Sequence, residues 1–302
     1  MKALITGGNG LLGQKLIAAL RNDPEVELTA TSRGDELTAE PLGDRYRCMD
    51  VTVAAEVDAV FDAARPDVVI HAAAMTNVDA CELDPAACER QNVVATKHLV
   101  SAAARHGSHF IFLSTDFIFD GANGPYREED EAQPLNVYGR SKLAGEELVR
   151  TSGLAKWSIA RTIILYGAAK GLSRSNPVLW AKGALENGAP VNVVDDQWRM
   201  PTLAEDLADG CILIAKRGAG GVFHLCGPDG MSILEMVRRV GRFFDLGAGN
   251  VKAVKSSTLG QPAMRPPVTG FILDKARREL GYAPRGFEAG LTVLNRQLKE
   301  LQ

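Results

Sequence analysis

Seven residues into the chain, ITGGNGLLGQKL sets closely spaced glycines between a short apolar strand, KALIT, and the start of an amphipathic helix. That junction is the context a dinucleotide-binding loop requires. Two spacings coexist: Gly7, Gly10 and Gly13 read G-x-x-G-x-x-G, while Gly8, Gly10 and Gly13 read G-x-G-x-x-G. An early glycine permits the tight turn, Gly10 lets the backbone approach a pyrophosphate, and Gly13 brings helix and strand together, so that the helix N-terminus faces negative charge. The expected cofactor contacts here are Gly7, Gly10, Leu11 and Leu12.

The next segments keep the rhythm this loop implies. VELTATS, AEVDAVFDAARP, DVVIHAAA, PAACERQNVVATKHLVSAAARHG, HFIFLST and WSIARTIILYG alternate strand-like with helix-like character. Near-continuous apolar strands separated by amphipathic helices predict an α/β fold, a Rossmann-type doubly wound parallel sheet covered on both faces. After about residue 167 the rhythm weakens, and AAKGLSRSNP reads as a crossing between domains. LAEDLADGCILIAKR and GVFHLCG could return to the sheet. The expected division is therefore 1–166 plus about 200–227 for the cofactor domain, and about 167–199 plus 228–302 for a smaller C-terminal α/β substrate domain.

Composition narrows the partners. With 34 basic against 37 acidic residues and a net charge of −3, the chain offers no electrostatic footprint for nucleic acid or an anionic membrane. A small-molecule partner is expected, with a homodimer allowed. No apolar run reaches the ~18 residues of a membrane span, and MKALITGG lacks the apolar core of a signal peptide, which points to the cytoplasm. The five cysteines form no C-x-x-C pair and read as reduced. Cys81 and Cys88, seven apart, have no histidine at ligand spacing and are assigned to packing; no metal is expected.

The end of the second strand selects the cofactor. NAD binding usually places an acidic residue there, on the ribose hydroxyls. Here TATSRGDE puts Ser32 and Arg33 in that place, a hydroxyl and a guanidinium suited to a 2′-phosphate, so NADP(H) is preferred and NAD(H) is possible. Asp50 and Val51 are expected to flank the adenine. Ala72, Ala73 and Ala74 are small enough to let a cofactor lie close, and His71 reads as packed.

In LNVYGRSKLAGE, Tyr138 and Lys142 are four apart and share one face if a helix begins near the tyrosine. An unaided phenol has a pKa near 10. A cation about 4 Å away at an effective dielectric of ~20 contributes about 4 kcal/mol, enough to bring that phenol close to neutrality. In full water it would do little, so the arrangement makes sense only in a cleft roofed by cofactor and substrate. Ser114 and Thr115 end the preceding strand, where open parallel sheets bind ligands.

The stretches TGGNGLLG, STDFIFDG, PYREEDEAQPLNVYGRSKLAGE, RTIILYG, DDQWRMPTLAEDLA and RPPVTGFILDKAR resemble the extended short-chain dehydrogenase/reductases, among them dTDP-4-dehydrorhamnose reductases. The resemblance spans residues 6 to 277. It implies hydride transfer from a reduced nicotinamide to a ketone of a nucleotide-linked sugar. By the same resemblance, Tyr138 is the general acid, Lys142 its modulator and ribose contact, and Thr115 the residue that orients the carbonyl. Asp116 touches a sugar hydroxyl and Arg265 faces the substrate diphosphate, with Phe117 and Arg199 also on the substrate side. Many of these reductases have a tyrosine at Phe117, and some have an acidic residue, linked to a metal-bridged dimer, at Lys15. Arg199, immediately before MPT, is closer to the regulatory β subunit of methionine adenosyltransferase, a cofactor-binding partner of another enzyme and the alternative function.

Overall fold

The computed structural model describes residues 1–38, 40–172, 175–188, 190–247 and 249–301. Its frame is one parallel sheet of seven strands. Six come from the N-terminal part of the chain: β1 (Lys2–Thr6), β2 (Glu27–Ser32), β3 (Tyr46–Cys48), β4 (Val68–His71), β5 (His109–Thr115) and β6 (Trp157–Thr162). The seventh is β11 (Gly221–His224), and the order across the sheet is β11-β6-β5-β4-β1-β2-β3. The switch in direction falls between β1 and β4, the place where such sheets take ligands.

The two central strands β4 and β5 are buried over their whole length, as strands covered on both faces must be. One face carries α1 (Leu11–Leu20) and α8 (Ala204–Arg217), whose Leu16, Ile17, Leu207 and Ile214 pack with Ile5, Ile70 and Ile111. The other carries α2 (Ala54–Ala64) and α5 (Ala95–His106), with Val57, Phe61, Leu99 and Ala103 against Val69, Phe110 and Phe112. Gly107 ends α5 in the left-handed conformation, φ 70°, with Arg105 and His106 in the last turn to complement its dipole.

The stretch read as one helix from residue 85 is divided. After α3 (Val78–Leu83), Asp84 accepts from the Ala87 amide at 2.9 Å and caps α4 (Pro85–Glu89), with Pro85 in its first turn. A widened π-turn, Arg90–Val94, then precedes α5 and buries Asn92. Asn136, fully buried, caps α6 (Val137–Thr151) by accepting from the Gly139 amide at 2.8 Å.

Beyond the sheet lie β7 (Leu165–Tyr166), α7 (Pro177–Glu186), β8 (Val191–Val194), β9 (Trp198–Arg199), β10 (Thr202–Leu203), β12 (Met231–Ser232), α9 (Ile233–Phe243), β13 (Val251–Val254) and α10 (Phe287–Glu300). Val178, Ala181, Val237, Val240, Leu291 and Leu294 from the three helices share a separate apolar cluster. The strands here pair two by two: β7 with β10, β9 with β12, β8 with β13. Within the expected crossing AAKGLSRSNP, Ser173 and Arg174 lie outside the described residues. Ala276, Leu280 and Tyr282 pack back into the core under β11, a return that the division read from the sequence does not contain. No described helix is long and apolar enough to cross a membrane.

Candidate active site

All seven strands point the same way, so the ends of β1, β2, β4 and β5 deliver their following residues to one edge. The glycine loop leaves β1 there. Gly7 has φ 75°, and a β-carbon on it would stand 2.8 Å from the Ala73 nitrogen. At Gly13 a β-carbon would stand 2.2 Å from the Gly7 oxygen, and at Gly10 3.2 Å. At Gly8 the nearest atom is the flexible Ile17 Cδ1 at 3.3 Å. Of the two spacings open in the sequence, Gly7-Gly10-Gly13 is the one the backbone requires. Gly10 heads α1 without a side-chain cap, and no acidic residue occupies the first turn, so the end formed by Gly10, Leu11 and Leu12 suits a diphosphate.

Asn9 ties this loop to the segment after β2, donating to the Asp35 carbonyl at 2.8 Å and accepting from the Leu37 amide at 2.9 Å. Ser32 is half-buried and Arg33 exposed at the head of that segment. Asp50 accepts from the Thr52 amide and hydroxyl, at 2.9 and 2.8 Å; burial works against its charge, but these bonds keep its carboxyl below the usual range. Val51 is buried, and Ala72, Ala73 and Ala74 are half-buried after β4. His71 is wedged between Thr6 Oγ1 at 2.7 Å and Thr96 Oγ1 at 3.2 Å, and burial lowers its pKa to about 3, so it stays neutral.

At the end of β5, the Thr115 hydroxyl lies between the Asp116 carboxylate, 3.1 Å away, and the phenol of Tyr138. Tyr138 and Lys142 do share a face of α6, and both are buried. In the free chain, with no cofactor or substrate roofing the cleft, the phenol is not acidified. Burial raises the Tyr138 pKa, and the Thr115 hydrogen bond opposes this without overcoming it. The Lys142 ammonium instead sits 4.1 Å from the centre of the Phe112 ring. Burial lowers Lys142 to about 8, against the attraction of Glu146 and Cys88. The resting pair is therefore a protonated phenol, the form a proton donor needs, beside an amine able to titrate near neutrality.

Asn92, which the sequence reading did not single out, supports this pair. Its amide donates to Ser141 Oγ at 2.9 Å and the Met75 carbonyl at 3.0 Å, and its Oδ1 accepts from the Met75 amide at 2.8 Å. Ser141 in turn donates to the Tyr138 carbonyl at 2.8 Å. Only the π-turn brings Asn92 there, and no sequence pattern announces a π-turn.

The residues expected on the substrate side are tied to other parts of the chain. Asp116 and Arg199 are both buried and face each other at 3.7 Å. Arg199 donates to the carbonyls of Trp198 and Pro266 at 2.7 Å each and of Pro267 at 3.2 Å, and packs over the Phe117 ring. Asp116 also accepts from Thr269 Oγ1 at 2.5 Å. Both side chains hold the 263–273 segment across the cleft; burial pushes the Asp116 carboxyl up despite Arg199. Arg265 grips Asp79 through two bonds, 3.0 and 2.7 Å, and this keeps the Asp79 carboxyl low. Phe117 is half-buried, edge-on to Tyr138 at 6.0 Å. Lys15 pairs with Glu205 at 2.9 Å.

A family profile described as the RmlD substrate binding domain matches residues 1–300. The chain belongs to that family. It is an extended short-chain dehydrogenase/reductase by fold and sequence. A dTDP-4-keto-6-deoxy-D-glucose reductase from Streptomyces niveus is 32% identical, with 93% of this chain and 91% of the relative covered. The methionine adenosyltransferase 2 subunit beta of Xenopus tropicalis is also 32% identical, over 86% of this chain and 77% of its own length. Among solved structures, the dTDP-4-dehydrorhamnose reductase of Bacillus anthracis in complex with NADP superposes with a TM-score of 0.84 at 26% identity, covering 98% of this chain and 100% of that one.

Proposed function

We propose that this member of the RmlD family catalyses NADPH-dependent reduction of a keto group on a nucleotide-linked deoxysugar. The observation that carries the reading is the buried Thr115-Tyr138-Lys142 group at the sheet edge that also bears the uncapped glycine loop. A reduced nicotinamide, when bound, supplies the hydride. Gly7, Gly10, Leu11 and Leu12 hold its diphosphate, Ser32 and Arg33 the 2′-phosphate, Asp50 and Val51 the adenine, and Ala72 to Ala74 leave room beside it. Tyr138 gives its proton to the carbonyl oxygen as that oxygen gains charge. Thr115 steadies the same oxygen. Lys142, as its ammonium, would hold the ribose and stabilise the phenolate left behind. The 167–199 and 228–302 segments form the substrate side.

Oxidation of NADPH, followed by absorbance with dTDP-4-dehydrorhamnose and related keto sugars, tests this directly. Tyr138→Phe removes the proton and leaves the fold, so turnover falls by about 10² to 10⁴ while NADPH still raises the melting temperature. Normal turnover in Tyr138→Phe would overturn the reading.

The likeness to the methionine adenosyltransferase β subunits supports a second reading, a cofactor-binding regulatory subunit. It takes over if no keto sugar nucleotide is reduced and the chain forms a stoichiometric complex with a methionine adenosyltransferase.

A further inference from the structure

Residues 33–37, which follow β2, belong to no helix or strand. Even so, four successive carbonyls at the end of β2 and along this segment are each taken by a donor from outside it. The Met49 amide donates to Ser32 at 2.8 Å, the Cys48 thiol to Arg33 at 3.3 Å, the Tyr46 hydroxyl to Gly34 at 2.6 Å and Asn9 Nδ2 to Asp35 at 2.8 Å. Asn9 Oδ1 also accepts from the Leu37 amide at 2.9 Å. Both anchors are themselves fixed. The Tyr46 ring packs on the core cluster that holds Leu28 and Ala30. The Asn9 carbonyl accepts at 3.0 Å from the buried Gln14 carboxamide, which also donates to the Lys170 carbonyl at 2.8 Å and accepts from its amide at 3.2 Å.

With these carbonyls taken, donors are what the segment has left to offer. The amides of Arg33, Gly34 and Asp35 have no hydrogen-bond partner among the described residues, and the Arg33 side chain is exposed beside them. The Glu36 carboxylate, which could serve a ribose hydroxyl, is turned inward: both oxygens accept from the Leu42 amide at 2.9 Å, and one accepts from the Thr38 hydroxyl. Successive amides next to a guanidinium suit an oxyanion, provided the backbone is held.

We propose that Asn9 and Tyr46 are positioning residues for cofactor selection, holding residues 33–37 in the form that offers Arg33 and its neighbouring amides to a 2′-phosphate, and so setting a preference for NADPH over NADH. Their role rests on the dinucleotide site of the proposed reductase, and they act on the phosphate through the segment. A loose segment would have to be ordered on binding, at a cost in affinity that the two anchors remove beforehand. A nucleotide without the 2′-phosphate asks nothing of the segment and is indifferent to them.

Adenosine 2′,5′-bisphosphate and 5′-AMP differ only in the 2′-phosphate, and calorimetric titration of both into the full chain tests this without a sugar substrate. Tyr46→Phe keeps the ring and loses one bond, so it should weaken the bisphosphate about fivefold; Asn9→Ala loses two and should weaken it about 20-fold. Binding of 5′-AMP should stay within about twofold in both. In an Arg33→Ala background the effect of Asn9→Ala should shrink, because the side chain it presents is gone. A parent chain that prefers the bisphosphate, with both variants keeping that preference, overturns the positioning role and leaves the cofactor reading standing. Equal weakening of the two nucleotides overturns it as well, since Asn9 then serves the glycine loop as a whole. A parent chain that does not distinguish the probes removes the 2′-phosphate site itself, and the positioning role with it.

Discussion

On one rim of the cleft, Gly7, Gly10 and Gly13 set backbone against backbone within thirteen residues of the N-terminus, and every contact follows from what a β-carbon would strike. On the other, the 263–273 segment is drawn across by charges from distant parts of the chain: Thr269 reaches Asp116 over 153 positions, and Arg265 reaches Asp79 over 186. The first rim is made by leaving side chains out. The second is made by burying polar side chains that must find partners, because an unpaired buried charge costs several kcal/mol. A chain can therefore vary its substrate side by moving a few long-range pairs while the cofactor side stays fixed by sterics.

The largest expected effect strikes the second rim. Arg199→Met strands the Asp116 carboxylate and frees the carbonyls of Pro266 and Pro267, which should cost about 3–5 kcal/mol of stability by urea denaturation. Adding Asp116→Asn removes the stranded charge, so the double variant should recover a good part of that loss. If Arg199→Met alone melts like the parent chain, the segment is held by something other than this pair.

The first rim is broken next. In Gly13→Ala the new methyl meets the Gly7 oxygen at 2.2 Å, backbone with nowhere to move, and about 3 kcal/mol is the expected penalty. Gly8→Ala meets the flexible end of Ile17 at 3.3 Å and otherwise ordinary contacts, the Thr31 oxygen at 3.4 Å and Ala30 Cβ at 3.5 Å, and should cost far less. Equal melting curves for the two variants would show that the loop tolerates what its geometry forbids.

Arg33 marks where the cofactor rim stops being backbone. Charge-assisted bonds to a phosphate are worth about 1.5–3 kcal/mol, so Arg33→Ala should weaken NADPH by about 10- to 150-fold and spare NADH, as fluorescence titration of both would reveal. Equal losses would mean that the exposed guanidinium reads no 2′-phosphate.

These contrasts explain what could be read from the sequence. The sheet, its order of appearance and the return of β11 were visible in strand and helix periods, and the Tyr138-Lys142 face in a spacing of four. Those are local signals. Asn92 enters through a π-turn that has no motif, and that same turn, Arg90–Val94, divides the single helix expected from residue 85. The pairing of Asp116 with Arg199, 83 positions apart, leaves no mark on either neighbourhood. A shared face is not a distance: in the free chain Lys142 shares Tyr138's face but rests on Phe112.

Arg265 gives the smallest effect and the finest distinction. Its two bonds to Asp79 are short, but both side chains keep some exposure, so Arg265→Ala should cost about 1 kcal/mol of stability or less. Kinetics separates clasp from ligand. A guanidinium that exchanges Asp79 for a substrate diphosphate is held back by Asp79, since every bond to the carboxylate must be given up on binding. Asp79→Ala should then lower KM for the sugar nucleotide while Arg265→Ala raises it about tenfold, a difference of about 1.4 kcal/mol. If both variants raise KM together, the arginine only pins Ala263 and its neighbours to α3, and the diphosphate is read by a residue elsewhere on the second rim.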